Sequence, residues 1–343
     1  MIEVEHLSKV YGSTPAIADI TFEVQAGEIL GFLGPNGAGK TTTMRILTGY
    51  LPATSGTARV AGYEVHEDSM AVRQRIGYLP ETPPLYPDMT VATFLNFVAK
   101  IKGVSAGDRP RQIQLSLERC GLMDKRDTLI HKLSKGYRQR VGIAQAIVHD
   151  PPVIVLDEPT VGLDPRQIIE VRNLIKSLAG THTIILSTHI LPEVSMTCDR
   201  VAIINRGRVV TTNTPEALMA QLAGGANYEL EVEGTLEAVI ALLKAVPGVR
   251  LVELIPQEDE APTARRQRLR VLSEPGFDPG RDLAAVLVGA GVGLYEMHRL
   301  RASLEDVFLE LTTAEKSVTD AATETAEPEG AIAPESSNEG EAA

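Results

Sequence analysis

The sequence predicts an α/β protein whose main domain is built on a parallel β-sheet, followed by a smaller α+β unit. The first observation is three apolar runs, at residues 29–33, 153–156 and 183–188, that lack the alternation of half-exposed strands. Such runs are typical of parallel strands buried on both faces. The second is that each run leads directly into glycine-rich or polar residues, as strands do at the functional edge of a doubly wound sheet.

The first run leads into a glycine-rich loop that fixes the chemistry most tightly. Its residues are Gly34, Pro35, Asn36, Gly37, Ala38, Gly39, Lys40, Thr41 and Thr42. They match the spacing Gly-x-x-x-x-Gly-Lys-Thr, and apolar spacing after them predicts a helix. Inward backbone N–H groups and a helix N-terminus favour phosphate, Lys40 reaches the β- and γ-phosphates, and Thr41 can ligate Mg²⁺. This strand–loop–helix context favours a P-loop NTPase domain over a simple glycine-rich turn.

Two later strands end in residues suited to the same chemistry. Residues 153–156 lead into Asp157 and Glu158, and residues 183–188 lead into His189. At the shared sheet edge we expect Asp157 to contact Mg²⁺ and Glu158 to polarise a water aimed at the γ-phosphate. His189 is then a γ-phosphate sensor. Taken singly, the acidic pair is more typical of a helix cap, and a lone histidine is more typical of a structural residue. The functional interpretation rests on their shared position at strand ends.

The amino-acid composition limits the classes of protein to which the chain can belong. The chain has 343 residues, of which 43% are hydrophobic and 23% charged, which favours two folded domains. Its two cysteines are too few for a disulfide framework and are compatible with a reducing cytoplasm. The N-terminus is unlike a signal peptide, and no apolar run approaches the ~20 residues of a membrane span. A membrane-crossing segment is therefore expected on another chain.

The net charge of −12 comes mostly from the C-terminus. Residues 313–343 are rich in Ala, Thr, Glu, Pro and Ser and lack aromatic residues, which predicts a disordered, solvated tail rather than a binding arm. No basic stripe suited to nucleic acid occurs, so nucleic acid is not an expected partner.

These motifs resemble the ATP-binding subunits of ABC transporters, over about the first 215 residues. The resemblance implies that residues 34–42 are the Walker A loop, that residues 153–158 are the Walker B strand with Glu158 as catalytic base, and that His189 is the switch histidine. Residues 133–137 occupy the position of the family's signature between the Walker motifs, and residues 162–164 look like its D-loop. The remaining nucleotide contacts that the resemblance implies are Tyr11 against adenine, Ser134, Gly136 and Asp164.

Two motifs depart from the family pattern. The usual Leu-Ser-Gly-Gly-Gln reads here with Lys135 and Tyr137 at its third and fifth positions, but Ser134 and Gly136, expected to meet phosphate from the opposing subunit, are retained. Glu81 stands where the family commonly has Gln. Its carboxylate can still ligate Mg²⁺, although it places negative charge near the γ-phosphate. Both variants resemble the exporter branch that includes gliding-motility and multidrug-type ATPases.

Around these motifs, residues 1–30 alternate like antiparallel strands, and the proline-rich residues 80–87 form a stiff connector. Helical spacing predicts a helical subdomain from residues 91–102, 111–120 and 138–149. By resemblance, a groove between this subdomain and the sheet receives a short helix of a membrane partner. The connector, through Glu81, is then expected to report the γ-phosphate to that groove.

We predict three segments: a nucleotide-binding domain at residues 1–215, an α+β accessory domain at 226–312, and the acidic tail at 313–343. The accessory domain has the order β-α-β-β-α-β of a ferredoxin-like unit, followed by a capped helix at 303–311 whose start is similar to the ends of many exporter ATPases. The predicted elements are residues 228–232, 236–245, 249–255, 268–272, 281–289 and 294–299, with a polar linker at 257–266. A packing or dimer-stabilising role is favoured over ligand sensing.

The resulting functional prediction is an ATPase subunit that closes head to tail with a second copy or a related chain, binding two ATP between Walker loop and signature. Hydrolysis then drives export through a polytopic permease on a separate chain, at the cytoplasmic face of the membrane. An importer ATPase or a soluble ABC protein of translation or DNA repair is the alternative. The β-α-β-β-α-β pattern argues mildly against the importer, and the single Walker loop argues against the soluble protein.

Overall fold

The fold is described from a computed structural model covering residues 1–222, 226–255, 266–274 and 276–300. Within residues 1–222 the strands are, in chain order, β1 (Ile2–Tyr11), β2 (Thr14–Val24), β3 (Ile29–Leu33), β4 (Ser55–Val60), β5 (Tyr63–Glu64), β6 (Ile76–Leu79), β7 (Val153–Asp157), β8 (Thr183–Thr188), β9 (Arg200–Asn205) and β10 (Arg208–Asn213). They form one antiparallel and one largely parallel sheet.

The antiparallel sheet has the strand order β2–β1–β4–β5. Ile2 pairs with Val24 on one side and Val60 on the other, and alternate residues such as Ile2, Val4 and Leu7 are buried. The antiparallel strands predicted for residues 1–30 are confirmed, and β4 and β5 extend them. The buried face packs with one face of the parallel sheet in a common hydrophobic core.

The six-stranded sheet has the order β10–β9–β3–β8–β7–β6, and only the edge strand β10 runs antiparallel to its neighbour. All residues of β3, β7 and β8 are buried, as predicted from their continuous apolar runs. Leu33 pairs with Thr188, and Asp157 pairs with Ser187. The carboxyl ends of β3, β7 and β8 therefore lie at one edge, which brings the loops after them together.

The helices of this part are α1 (Lys40–Leu47), α2 (Ser69–Arg75), α3 (Val91–Ile101), α4 (Arg109–Arg119), α5 (Lys135–Ile147), α6 (Pro165–Leu178), α7 (Leu191–Thr197) and α8 (Pro215–Leu222). Helices α3, α4 and α5 contact one another and share a core with the sheet. Within the described ranges, no helix is long and apolar enough to cross a membrane.

Helix α5 begins at Lys135 and not at the predicted Arg138. The Ser134 hydroxyl accepts a hydrogen bond from the Tyr137 N–H at 3.4 Å and so caps the helix. Residues 135–137 consequently form its first turn. Helix α4 also begins earlier than predicted, at Arg109, because Pro110 suits a first turn, where its missing N–H has no intrahelical partner to lose.

The proline-rich connector, residues 80–87, forms neither helix nor strand. Tyr86 fixes it to the helical subdomain, since its ring lies 6.0 Å from the ring of Phe94 and 5.4 Å from that of Phe97. The connector thus links the end of β6 to α3 through an aromatic contact as well as through the chain.

The C-terminal elements are β11 (Asn227–Glu233), α9 (Leu236–Lys244), β12 (Val249–Leu254), β13 (Arg266–Ser273), α10 (Gly280–Gly289) and β14 (Gly293–Leu300). The strands form an antiparallel sheet in the order β12–β13–β11–β14. Buried side chains of both helices, including Val239 and Leu283, share a core with Leu230 and Leu269 of the sheet. The predicted helix at 303–311, the tail at 313–343 and the linker at 257–266, apart from Arg266, lie outside the described residues.

Candidate active site

A pocket of about 440 Å³ opens at the carboxyl edge of the parallel sheet. It is formed by the glycine-rich loop, the first hairpin, the connector and the ends of β7 and β8. Its lining residues are Ala16, Pro35, Asn36, Gly37, Gly39, Lys40, Thr41, Thr42, Glu81, Glu158, Val161 and His189. Most of the residues proposed from sequence are therefore brought together at one site, and Gly34 and Ala38 lie buried in the loop itself.

The glycines of the loop are required by its shape. Gly39 has a φ of 107°, and a Cβ there would lie 2.6 Å from Ile17 Cγ2 and 2.8 Å from the Ala16 carbonyl oxygen. Gly34 packs against the Ile204 carbonyl so closely that a Cβ has no room. These contacts press the loop against β2 and β9 and fix its backbone ahead of α1.

Lys40 places a buried cation at the floor of the pocket. Its Nζ donates to the Gly34 carbonyl at 2.7 Å and to the Pro35 carbonyl at 3.3 Å, and it lies 3.5 Å from Glu158 Oε1. The side chain is only 6% exposed. A buried charge is tolerated when it is paired and hydrogen-bonded, and both conditions hold here.

Glu158 and His189 form a hydrogen-bonded pair above this cation. His189 Nδ1 lies 2.9 Å and 3.0 Å from the two carboxylate oxygens, which places a hydrogen on Nδ1 and leaves Nε2 for another ligand. Glu158 has a left-handed φ of 51°, an uncommon conformation for a non-glycine residue, which turns the chain sharply after β7. Its N–H donates to the Ser187 carbonyl at 2.9 Å, so the turn is fixed to β8.

Asp157 has the properties of a cation ligand. It is fully buried, and neither of its carboxylate oxygens has a hydrogen-bond partner. Burial raises its pKa, and the nearby carboxylates of Glu158 and Glu81 add to that effect, whereas the Ser187 and Thr41 hydroxyls oppose it. A divalent cation beside Asp157 would relieve this desolvation, so the donor set of hydroxyl and carboxylate oxygens fits Mg²⁺.

Within the described ranges, no group of at least three His, Cys, Asp or Glu residues is arranged to hold a metal. Mg²⁺ commonly binds through one or two carboxylates together with waters and substrate phosphates rather than in an all-protein cage.

Sequence reasoning missed a buried polar group next to this pocket. Glu193 is 5% exposed, and its Oε2 accepts a hydrogen bond from the Thr188 hydroxyl at 3.1 Å. Burial raises the pKa of Glu193, while the Thr160 and Thr188 hydroxyls lower it. The sequence held only a weak indication, because an acidic residue in the first turn of a helix ordinarily lies in solvent, where it stabilises the helix dipole.

Four of the proposed nucleotide contacts lie elsewhere in the described part of the chain: Tyr11, Ser134, Gly136 and Asp164 do not line the pocket. Tyr11 is 49% exposed at the end of β1, with Lys9 Nζ 5.4 Å from its ring centroid. Ser134 caps α5, and Asp164 caps α6 by accepting from the Gln167 N–H at 2.9 Å. Their roles toward nucleotide stay predictions.

The fold and this pocket define an ATP-binding protein of the P-loop class. A family model described as ABC transporter matches residues 17–161. The linearmycin resistance ATP-binding protein LnrL of Bacillus subtilis is 31% identical over 313 residues, which are 91% of this chain and 98% of that protein. The Nod factor export ATP-binding protein I of Burkholderia lata is 35% identical over 315 residues, 92% and 97% of the two chains.

Solved structures indicate the same family. A structure of the ATP-binding subunit of an ABC transporter is 32% identical to this chain, with a TM-score of 0.60 over 65% of this chain and 93% of that one. A dimeric bacterial ABC transporter cassette, MJ0796, has the same fold at 24% identity, with a TM-score of 0.58 over 62% and 98%. The chain belongs to the ABC transporter family and is one of its ATP-binding subunits, an ATPase.

Proposed function

We propose that this ATPase subunit dimerises on ATP and drives export through a separate membrane permease. The observation that carries the proposal is the Glu158 carboxylate, which is hydrogen-bonded to His189 and lies 3.5 Å from the Lys40 ammonium in the glycine-rich pocket. The direction of transport is supported by relatives that are named for Nod factor export and linearmycin resistance.

Each residue assigned from the sequence has a defined part in this function. The backbone of residues 34–42 and the Lys40 ammonium bind the phosphates, and Tyr11 stacks on adenine. Glu158 accepts a proton from the attacking water, and His189 Nε2 contacts the γ-phosphate. Thr41 and Asp157, with Glu81, would hold Mg²⁺, which would supply positive charge to stabilise the phosphates. The unpaired carboxylate of Asp157 supports this assignment.

The position of the signature residues, 133–137, supports dimerisation. Ser134 and Gly136 stand at the start of α5, outside their own pocket, where N–H groups of a helix N-terminus can bind an anion. We assign them, with Asp164 at the start of α6, to the ATP held by a second subunit, in a homodimer or a heterodimer. Closure then excludes water from both sites.

A second cavity, of about 430 Å³, is suited to the membrane partner. It lies between the sheet, the connector and the helical subdomain, beside Glu81. Its lining residues are Arg45, Tyr50, Tyr78, Pro80, Thr82, Pro84, Lys102 and Gln145. The buried Tyr78 hydroxyl has no partner there. A short helix of the permease in this groove would hold the subunit at the cytoplasmic face of the membrane.

The division into residues 1–215, 226–312 and 313–343 is part of the proposal. The strand order β12–β13–β11–β14 supports a ferredoxin-like accessory domain, which we assign to packing or dimer stabilisation.

The test uses two substitutions in the full chain. Glu158→Gln retains the shape of the side chain but cannot accept a proton, so ATP should still bind, turnover should cease, and dimer should accumulate. Lys40→Ala removes the phosphate-binding cation, so ATP binding itself should be lost. Nucleotide titration, phosphate release and light scattering with MgATP measure these outcomes. A Glu158→Gln variant that stays monomeric at saturating MgATP contradicts the proposal.

A further inference from the structure

Glu193 is a buried acidic residue for which the proposed chemistry has no use. It lies in the first turn of α7, and its side chain is 5% exposed. Burying a carboxylate costs free energy unless hydrogen bonds compensate. Such a residue beside an active site therefore needs a structural reason, and its contact with β8 supplies one.

One side of the Glu193 carboxylate is fixed to β8. The Thr188 hydroxyl, fully buried, donates to Oε2 at 3.1 Å. The same hydroxyl oxygen accepts from the Ile190 N–H at 3.1 Å, so its hydrogen is free for the carboxylate. Thr188 directly precedes His189, and the bond therefore fixes the backbone that carries the imidazole.

The other side of the carboxylate is next to the chain that follows Glu158. Glu193 Oε1 and the Thr160 hydroxyl are both buried and lack a hydrogen-bond partner. The hydroxyl is close enough to Glu193 to lower its pKa. Thr160 is separated from Glu158 only by Pro159, whose ring restricts the intervening backbone.

The residues Glu158, Thr160, Glu193, Thr188 and His189 form a ring. Glu193 accepts from Thr188, Thr188 leads to His189, and His189 binds Glu158 at 2.9 Å, whereas Thr160 lies beside Glu193 without a hydrogen bond to it. We propose that Glu193 is a positioning residue for ATP hydrolysis, whose carboxylate holds the Thr188 hydroxyl and thereby fixes His189 relative to Glu158. The inference rests on the proposed function, in which these two side chains act on the γ-phosphate.

Catalysis is more sensitive to this distance than binding is. A displacement of about 1 Å in catalytic groups can cost ~100-fold in rate, whereas the phosphates are bound mainly by the separate loop at residues 34–42. Loosening the ring should consequently lower kcat and leave the KM for ATP almost unchanged.

Glu193→Gln tests the inference, because it keeps the size of the side chain but replaces one acceptor oxygen by a donor group. We expect kcat for ATP to fall about tenfold or more, with KM within about twofold of the original. The matched control is Glu216→Gln, which removes an exposed carboxylate from the first turn of α8 and should leave kcat unchanged.

A second pair of variants, at Thr188, tests the hydrogen bond to Glu193 even if Glu193→Gln fails to fold. Thr188→Val has the same shape without the hydroxyl and should lose kcat similarly, whereas Thr188→Ser keeps the hydroxyl and should restore most of it. In the Glu193→Gln background, Thr188→Val should add little further loss, because both changes break one interaction.

Unchanged kcat in both Glu193→Gln and Thr188→Val overturns the inference. A raised KM with unaltered kcat also overturns it, because that result indicates a role in ATP binding. An equal loss of kcat in Thr188→Val and Thr188→Ser overturns it too, because that result indicates a packing role alone. The proposed function is tested separately: if Lys40→Ala and Glu158→Gln hydrolyse ATP normally, it is the assignment of the pocket that fails.

Discussion

Gly39 has less room for a side chain than Gly37 in the same glycine-rich loop. Gly37 and Gly39 both have positive φ, at 81° and 107°, but only Gly39 is in close contact with β2. A Cβ at Gly37 would meet no heavy atom within 4 Å. Alanine substitutions at these two positions therefore separate the free-energy cost of backbone conformation from that of steric overlap.

We predict that Gly39→Ala severely weakens nucleotide binding, while Gly37→Ala weakens it moderately. Each alanine costs about 1–2 kcal/mol for its left-handed backbone, and Gly39→Ala costs about 1–3 kcal/mol more for overlap with Ile17 and Ala16. Titration with a fluorescent ATP analogue and thermal unfolding of both variants measure the difference. Equal effects of the two substitutions would show that overlap with β2 is unimportant.

The sequence predicted the pocket residues because their spacing is local. A loop of fixed length between a strand and a helix places Lys40 and Thr41 regardless of the rest of the fold, and the ends of β7 and β8 add Glu158 and His189. Glu193 could not be predicted in this way. Its importance comes from its link through Thr188 and His189 to Glu158, which lies 35 positions earlier in the chain and becomes a neighbour of His189 only when β7 and β8 pair.

Among the elements, the buried parallel strands were predicted most accurately, and the start of α5 was predicted poorly. The apolar runs at residues 29–33 and 183–188 match β3 and β8 as observed. Helix α5 was predicted to start late because glycine and lysine carry no apolar periodicity, whereas its true start depends on the Ser134 cap. Capping is a single hydrogen bond, and a hydrophobic pattern does not reveal it.

The turn between α5 and β7 contains a pH-sensitive residue. Both ring nitrogens of His149 are buried without a hydrogen-bond partner. Burial, helped by the nearby charge of Lys102, lowers its pKa from 6.5 to about 3. Between about pH 3 and pH 6.5 the unfolded chain therefore binds a proton at His149 that the folded chain does not bind. The stabilisation from a neutral His149 is complete above pH 6.5 and is lost as pH falls toward 3.

We predict that His149→Leu flattens the acid dependence of stability. Between pH 6.5 and 5 the unmodified chain should lose up to about 2 kcal/mol through this residue, at about 1.4 kcal/mol per pH unit, and the variant should retain it. Urea unfolding followed by circular dichroism at both pH values measures the loss. His131→Leu, at an exposed histidine, is the control and should keep the original pH dependence.

For the whole molecule, the sequence order of the motifs was more informative than composition. The net charge of −12 indicates little about function, because most of the imbalance lies in residues 313–343. The proposed head-to-tail arrangement, in contrast, is supported by two facts together: Ser134 and Gly136 lie at the start of α5, and the pocket of their own chain does not include them. The second fact required a structure.

The final prediction concerns this division of the site between two chains. In a Glu158→Gln background, Ser134→Ala should leave ATP affinity of the monomer unchanged and weaken the MgATP-dependent dimer about tenfold or more, since a hydrogen bond to a charged phosphate contributes about 1.5–3 kcal/mol. Light scattering over a range of protein concentrations measures the dimer constant, and nucleotide titration measures affinity.

Because Ser134 also caps α5, Ser134→Ala should cost about 1 kcal/mol of stability through the lost cap alone. A control variant must therefore remove a helix cap elsewhere in the chain. Thr90 caps α3 by accepting from the Thr93 N–H at 3.2 Å, at a helix start that lies outside the pocket. Thr90→Ala should lower stability by a similar amount and leave dimerisation intact. If Thr90→Ala and Ser134→Ala weaken the dimer equally, Ser134 acts through folding of α5 alone. If neither does, the signature residues do not contact the partner's ATP, and each pocket works within its own chain.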